Sequence, residues 1–177
     1  NKENNTDYSI CLLEKGSEIG AHILSGNVFQ PNALDELIPN WKELNAPLNV
    51  PVKKDKIFYF LKNMGIPVPP FVMPAMNNHG NYIISLGNLC RWLGEQAENL
   101  GVEIFPGFPA SKLLIENDQV IGVQTGDMGI SESGEMKPGN EPGINIKAKL
   151  TILGEGCRGH LGKQVINKSV SYTHLRA

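Results

Sequence analysis

The sequence has few cysteines, little net charge and no long apolar run, and each of these absences argues against a class of function. Its three cysteines lie far apart without a Cys-x-x-Cys pair, which argues against a zinc site, an iron–sulfur cluster or a disulfide-framed secreted domain within the 177 residues. The net charge is −2, and no basic stripe is present that could contact phosphates, so nothing in the sequence indicates binding to nucleic acid. No apolar run reaches the roughly 20 residues that a membrane-spanning helix requires.

The start of the chain is typical of a truncated domain, and its end is typical of added, non-native sequence. A polar start changes at once into the apolar run 8–13, which is typical of an interior strand rather than of a natural domain start. Residues 171–177 have no helical or strand period, and we interpret residues 168–177 as non-native sequence. A frayed natural terminus is the alternative. We therefore expect residues 1–167 to be part of a larger domain.

Local patterns predict two helices. Residues 85–100 place their leucines on one face at spacings of three and four, with Ser85 as N-cap and Gly101 at the C-terminal end. A short helix is predicted over residues 32–37, since Pro31 can occupy a first helical turn.

Strands alternate with these helices. We predict buried parallel strands at 8–13 and at the apolar end of 144–153, a strand at 102–105, and a hairpin of 112–115 and 120–124 with its tip at Asn117-Asp118. Residues 126–143, rich in Gly, Ser, Glu and Pro, are predicted to form an exposed loop. This order of elements indicates an α/β nucleotide-binding architecture: a Rossmann-type parallel sheet with an antiparallel excursion.

Residues 57–76 are dense in large apolar side chains but contain four prolines. Proline cannot donate a backbone hydrogen bond, so neither a long helix nor a central strand is expected there. These side chains either pack beneath the domain as core or face a non-aqueous partner.

Two places carry residue types suited to a dinucleotide. Glu14 ends the first apolar run, where an acidic residue of a Rossmann unit accepts hydrogen bonds from the adenosine ribose; a solvated turn residue is the alternative. The second apolar run leads into Gly154-Glu155-Gly156 and a helix-like start. Glycines let the backbone approach a ligand, and a helix start favours an anion or the electron-rich edge of a flavin. An ordinary structural turn is the alternative there too.

An ordered series of segments resembles one family of flavoproteins. The segments are LEKG (13–16), IGAHILSG (19–26), MNNHGNYI (76–83), WLGEQAE (92–98), TGDMGI (125–130) and EGCRGHL (155–161). The sequence resembles the electron transfer flavoprotein–ubiquinone oxidoreductases from about residue 10 to 167. The resemblance implies an incomplete glutathione-reductase-like FAD-binding fold, with the phosphate loop upstream of this chain.

The resemblance also implies which residues hold FAD: Glu14, Ser25, Gly26, Ala110, Gly154, Glu155, Gly156 and Arg158. Glu14 would bind the adenosine ribose, Ser25 and Gly26 would lie beside the flavin, and the backbone near Ala110 would pass the adenine. Residues 154–156 would contact the ribityl and pyrophosphate region, while Arg158 would help to hold the flavin or its phosphates or form a surface salt bridge.

The apolar segment 57–76 would match the family's membrane-dipping surface, where ubiquinone enters. The residues implied to face membrane or quinone are Phe58, Phe60, Leu61, Ile66, Val68, Phe71, Val72 and Met73. Such attachment needs apolar area rather than a spanning helix.

For the complete protein the resemblance implies electron transfer from reduced electron transfer flavoprotein to ubiquinone. It implies FAD, and a 4Fe–4S cluster whose ligands lie outside this chain. The protein would sit peripherally on the cytoplasmic face of a bacterial inner membrane or the matrix face of the mitochondrial one. No residue here is expected to act as a nucleophile or general base, and this piece alone is expected to be inactive. The alternatives are another FAD-dependent oxidoreductase, of the geranylgeranyl-reductase or hydroxylase type, and a non-enzymatic peripheral membrane-binding module.

Overall fold

The computed structural model describes residues 8–130, 136–156 and 159–168. In chain order the strands are β1 (Ile10–Glu14), β2 (Ser25–Phe29), β3 (Val50–Pro51), β4 (Ile57–Leu61), β5 (Met64–Val68), β6 (Tyr82–Ser85), β7 (Val102–Pro106), β8 (Ala110–Glu116), β9 (Gln119–Thr125), β10 (Met128–Ile130), β11 (Met136–Glu141) and β12 (Asn145–Lys147). The helices are α1 (Asn32–Leu37), α2 (Leu86–Asn99) and α3 (His160–Lys168). The chain divides into two compact units, the first built mainly from residues 19–102 and the second from residues 11–18 together with the chain from 103 onward.

The first unit packs α1 and α2 against a three-stranded antiparallel sheet of order β2-β6-β3. β6 alternates between its two faces, so Ile84 is buried while Ile83 is exposed. The core cluster consists of Leu34, Trp41, Ala46, Leu48, Ile84, Leu89 and Trp92. Both tryptophans of the chain therefore lie in the core of this unit.

Helix α2 confirms the prediction for residues 85–100. The Ser85 hydroxyl accepts a hydrogen bond from the Asn88 N–H at 3.5 Å as the N-cap. After the helix, Gly101 has a φ of +89°, and its N–H donates to the Glu98 carbonyl at 2.8 Å. The predicted short helix is confirmed as α1, after Pro31.

Residues 57–76 form a two-stranded hairpin followed by two 3-10 turns, at Pro70–Val72 and Pro74–Met76. β4 and β5 pair antiparallel, and Leu61 opposite Met64 leaves a two-residue connection. The prolines exclude a long helix and a central strand, as predicted. The hairpin itself was not expected from the sequence. It is compatible with a proline because a two-stranded sheet consists only of edge strands.

The second unit contains a two-stranded parallel sheet of β1 and β7, and an antiparallel sheet of order β12-β9-β8. The predicted hairpin is confirmed as β8 and β9. Its tip residues Asn117 and Asp118 have φ of 49° and 61°, the left-handed values of a type I′ connection. Leu113, Val123 and Leu161 form the buried core of this unit.

Three expectations for this unit were wrong in part. β1 pairs as a parallel strand, but Ile10 and Leu12, which share one face of it, are exposed because the described residues do not cover that face. The predicted loop 126–143 contains the antiparallel pair β10 and β11. The predicted strand 144–153 is reduced to β12, because the backbone of 150–153 joins no ladder and its outward side chains, Leu150 and Ile152, are exposed.

The observed architecture is thus mixed α/β with small sheets that include one parallel pair. None of the helices in the described ranges is long and apolar enough to cross a membrane.

Candidate functional site

Glu14 ends β1, and its carboxylate turns back onto the backbone that follows. Its Oε1 accepts a hydrogen bond from the N–H of Gly16, which is buried, and Glu14 itself is half-buried. A carboxylate has about four acceptor sites, so the bond to Gly16 leaves capacity for the two hydroxyls of a ribose. The geometry is compatible with the predicted role of Glu14 in binding adenosine.

The connection between β7 and β8 lies beside this turn. The Phe108 N–H donates to the Glu14 carbonyl at 3.1 Å, and the Gly107 N–H donates to the Gly16 carbonyl at 2.7 Å. Ala110 begins β8 shortly afterwards. The structure therefore brings two sequence-predicted residues, Glu14 and Ala110, to the same end of β1.

The Gly154–Gly156 turn belongs to the same unit and has open space around its glycines. A Cβ added at Gly154 or Gly156 would meet no atom within 4 Å, and Gly156 has a φ of +71°. Leu153, just before the turn, packs on the same core cluster as Leu13, just before Glu14. The backbone of this turn is thus accessible to the close approach of a ligand.

Glu155 caps the N-terminus of α3. Its Oε2 accepts the N–H groups of Leu161 and Gly162, both at 3.0 Å, and its Oε1 lies 3.2 Å from Nδ1 of His160. The positive end of the helix dipole favours a carboxylate at this position. The Glu155 carboxylate therefore occupies the start of α3, where the sequence predicted that an anion or the flavin edge would bind. Its contact with the ribityl chain stays a prediction.

Ser25 and Gly26 begin β2 in the first unit. A bulge interrupts the pairing of β2 with β6 between Ser25 and Asn27, and Gly26 has a φ of +81° there. A bulge leaves its extra residue out of the ladder. An added Cβ at Gly26 would meet nothing within 4 Å, so both candidate residues are exposed on a strand whose backbone is locally unpaired.

Close glycine contacts hold the preceding loop against α2. A Cβ on Gly20 would lie 2.8 Å from the carbonyl oxygen of Gly87, and a Cβ on Gly94 would lie 2.5 Å from Cδ1 of Ile19. At Gly20 the contacted atoms are backbone, so only a residue without a Cβ allows the loop and the helix to approach this closely, whereas at Gly94 the end of the Ile19 side chain could turn away. Gly87 thereby permits the close approach of the loop that leads to Ser25 and Gly26.

The hairpin of β4 and β5 is apolar on both faces. Phe58 and Phe60 share one face, with ring centroids 6.1 Å apart, while Tyr59, Leu61 and Ile66 lie on the other. An antiparallel sheet of a globular domain ordinarily exposes a polar face to water. Here side chains on both faces are exposed, and Phe60 keeps 76% of its surface accessible.

Seven of the eight residues predicted to face membrane or quinone are exposed: Phe58, Phe60, Leu61, Ile66, Phe71, Val72 and Met73. Val68 is half-buried. Tyr59 and Met64, which were not predicted to face membrane or quinone, are also exposed on the hairpin. The alternation of a strand pair would have revealed both, but that pairing was not predicted.

Arg158, the remaining candidate for flavin binding, and Cys157 lie outside the described residues. Among the residues that are described, no group of three or more His, Cys, Asp or Glu side chains could hold a metal ion.

Comparison with known proteins found several similar relatives, although no family model matches the chain. A protein of Pseudomonas aeruginosa named electron transfer flavoprotein-ubiquinone oxidoreductase is 59% identical over 167 residues, which cover 92% of this chain and 30% of that protein. Mitochondrial proteins of the same name from Arabidopsis thaliana and Bos taurus are 48% and 50% identical over 94% and 92% of this chain, and 26% of each relative is matched.

The chain therefore spans less than a third of the length of these relatives. The matched stretch nevertheless covers almost all of the chain in each comparison, at identities far above those of chance similarity. Over the segment that it spans, the chain belongs to the electron transfer flavoprotein-ubiquinone oxidoreductase family.

Proposed function

We propose that this chain is the part of a membrane-associated flavoprotein that holds FAD and faces the bilayer, in a protein that passes electrons from reduced electron transfer flavoprotein to ubiquinone. The observation that carries this proposal is the 59% identity over 92% of the chain to a relative with that name. The acceptor side chain of Glu14 and the open Gly154–Gly156 turn, within one unit, support it.

In the proposed complex, the chain contributes binding and orientation. Glu14 accepts hydrogen bonds from the adenosine ribose, and the backbone at Ala110 borders the adenine. The open glycines Gly154 and Gly156 let the cofactor approach the backbone, and Ser25 and Gly26 contact its flavin end. This assignment corresponds to a glutathione-reductase-like FAD fold completed by chain beyond this segment.

FAD, when bound, supplies the capacity to accept and release electrons. No side chain of this segment needs to act as a nucleophile or general base in that transfer. The role of the protein residues is to fix the cofactor and to provide quinone with an apolar route. The β4–β5 hairpin suits this second task, since its exposed apolar side chains can enter one leaflet without spanning it.

The cofactor assignment can be tested in a chimera in which this chain replaces the segment that it matches in the Pseudomonas aeruginosa relative. We expect the chimera to retain FAD and Glu14→Ala to weaken FAD binding by roughly 10- to 100-fold, the loss expected for a hydrogen bond to a charged acceptor. Glu98→Ala, at an exposed position of α2, is the control and should leave binding unchanged.

Flavin absorbance and equilibrium dialysis measure this binding. A folded chimera without FAD, or equal affinities in the two variants, would contradict the assignment of Glu14. A chimera that lacks flavin but still binds vesicles would favour the non-enzymatic membrane module instead.

A further inference from the structure

A small cavity of about 150 Å³ lies at the base of the β4–β5 hairpin, wholly within the first unit. Ile57 and Val68, which pair across the hairpin, form part of its apolar wall together with Met73. Lys53 and Lys54 lie on its polar side. The cavity is thus apolar toward the hairpin and cationic toward the preceding chain.

Asp55 is the counter-charge among the lining residues, and its carboxylate is already engaged. Its Oδ2 accepts the backbone N–H of Asn78 at 2.7 Å, and its Oδ1 accepts the Asn78 side-chain amide at 3.3 Å. These bonds tie the lysine-bearing segment to the turn before β6. Both lysines are exposed, so two positive charges are available to a ligand.

We propose that this cavity binds the phosphate of an anionic phospholipid, with Lys53 and Lys54 as the cationic contacts and the acyl chains along the apolar hairpin. The inference rests on the proposed attachment of the hairpin to a membrane and identifies the lipid class that it selects. A volume of about 150 Å³ equals that of about five water molecules, enough for a headgroup phosphate but not for a whole lipid.

The arrangement of charge and apolar surface supports this occupant. A lysine near an anionic leaflet contributes about 1 kcal/mol, and its long aliphatic stem can lie along apolar surface while its amino group reaches the phosphates. Only Asp55 and Lys56 separate these lysines from β4, so the side chains that would enter the leaflet and those that would meet its headgroups are close in the chain.

The test is co-sedimentation of the 177-residue chain with vesicles of phosphatidylcholine alone and with vesicles that also contain phosphatidylglycerol. We expect the double variant K53Q/K54Q to lose about 30-fold of the preference for phosphatidylglycerol, as two such lysines imply, while binding to phosphatidylcholine is retained. The variant K53R/K54R keeps both charges and should keep the preference.

The variant K56Q/K62Q is the matched control. It removes the same charge from the same region, but neither lysine lines the cavity. If both double variants lost the preference for phosphatidylglycerol equally, the cavity would not be the site, and the preference would come from the summed positive charge of the region. A wild-type chain that binds both kinds of vesicle equally would overturn the lipid selectivity while leaving membrane attachment intact. Absence of binding to either kind would refute the attachment and the inference together.

Discussion

Two glycines, one in the loop before β2 and one within β2, have nearly the same backbone φ but different surroundings. Gly20 has a φ of +79° and Gly26 a φ of +81°. Alanine in this left-handed region costs about 1–2 kcal/mol. We predict that Gly26→Ala lowers the free energy of unfolding by this amount alone, because a Cβ there meets nothing within 4 Å.

At Gly20 the same substitution also creates a clash. The new Cβ would lie 2.8 Å from the carbonyl oxygen and 3.0 Å from the Cα of Gly87. Both atoms belong to the backbone at the start of α2, so the clash cannot be relieved by turning a side chain. Overpacking of this kind costs about 1–3 kcal/mol. We therefore predict a total loss of about 2–5 kcal/mol for Gly20→Ala.

Urea unfolding followed by tryptophan fluorescence measures the difference in unfolding free energy between the two variants, and it reports on the structural unit that contains both glycines. Trp41 and Trp92 are the only tryptophans of the chain, and both lie in the core cluster of the unit that contains the two glycines. Equal losses of stability for the two variants would refute the close approach of Gly20 to α2. A larger loss for Gly26→Ala would refute the open space at the bulge.

Three further predictions concern the hairpin, a thiol and a helix cap. Because Phe60 is 76% exposed on the hairpin, Phe60→Ser should weaken partitioning into vesicles by about 10- to 100-fold. The control Leu100→Ser, at an exposed position outside the hairpin, should leave partitioning unchanged. Equal effects of the two substitutions in co-sedimentation would contradict the role of the hairpin. Cys11 is exposed, but partial desolvation of its thiol and, to a smaller extent, the nearby Glu103 raise the pKa of that thiol, so less thiolate forms at a given pH and iodoacetamide should react more slowly than with a free cysteine at about pH 8. Glu103→Gln should accelerate that reaction, followed by peptide mass spectrometry, and an unchanged rate would exclude the electrostatic effect. Glu155→Ala should destabilise α3 by about 1–2 kcal/mol, because the first helical amides lose their acceptor. Hydrogen exchange of these amides should then become faster, and an unchanged exchange rate would contradict the role of the cap.

The parts of the fold that the sequence predicted well depend on local chemistry. Helix α2 follows from leucines at helical spacing and from a serine and a glycine at its two ends. The β8–β9 hairpin follows from Asn117-Asp118, residue types that tolerate left-handed conformations. Both signals lie within a single element and need no distant partner.

The parts that the sequence did not predict depend on pairing. Residues 150–153 have the apolar run of a buried strand, and Leu153 packs inward as expected, but a strand also needs a neighbour for its backbone. The turn Lys62-Asn63 lacks the glycine that signals a two-residue hairpin, so β4 and β5 went unrecognised.

The candidate site shows the same division. Glu14 and its position at a strand end could be identified from the sequence, since an apolar run that stops at an acidic residue is a local pattern. That the Glu155 carboxylate caps α3 could not be identified, because that choice depends on where the helix begins in space. The bulge at Gly26 likewise depends on the register of β2 against β6.

The most direct test of the central claim is the electron-transfer activity of the chimera with the Pseudomonas aeruginosa relative. Reduced electron transfer flavoprotein would serve as donor and a soluble ubiquinone analogue as acceptor, with the parent relative measured alongside. We predict activity comparable to that of the parent in the chimera, and in the Glu14→Ala variant an activity that falls in proportion to its lower FAD occupancy and recovers when FAD is added in excess. A folded chimera that retains FAD but passes no electrons to the quinone would contradict the proposed function.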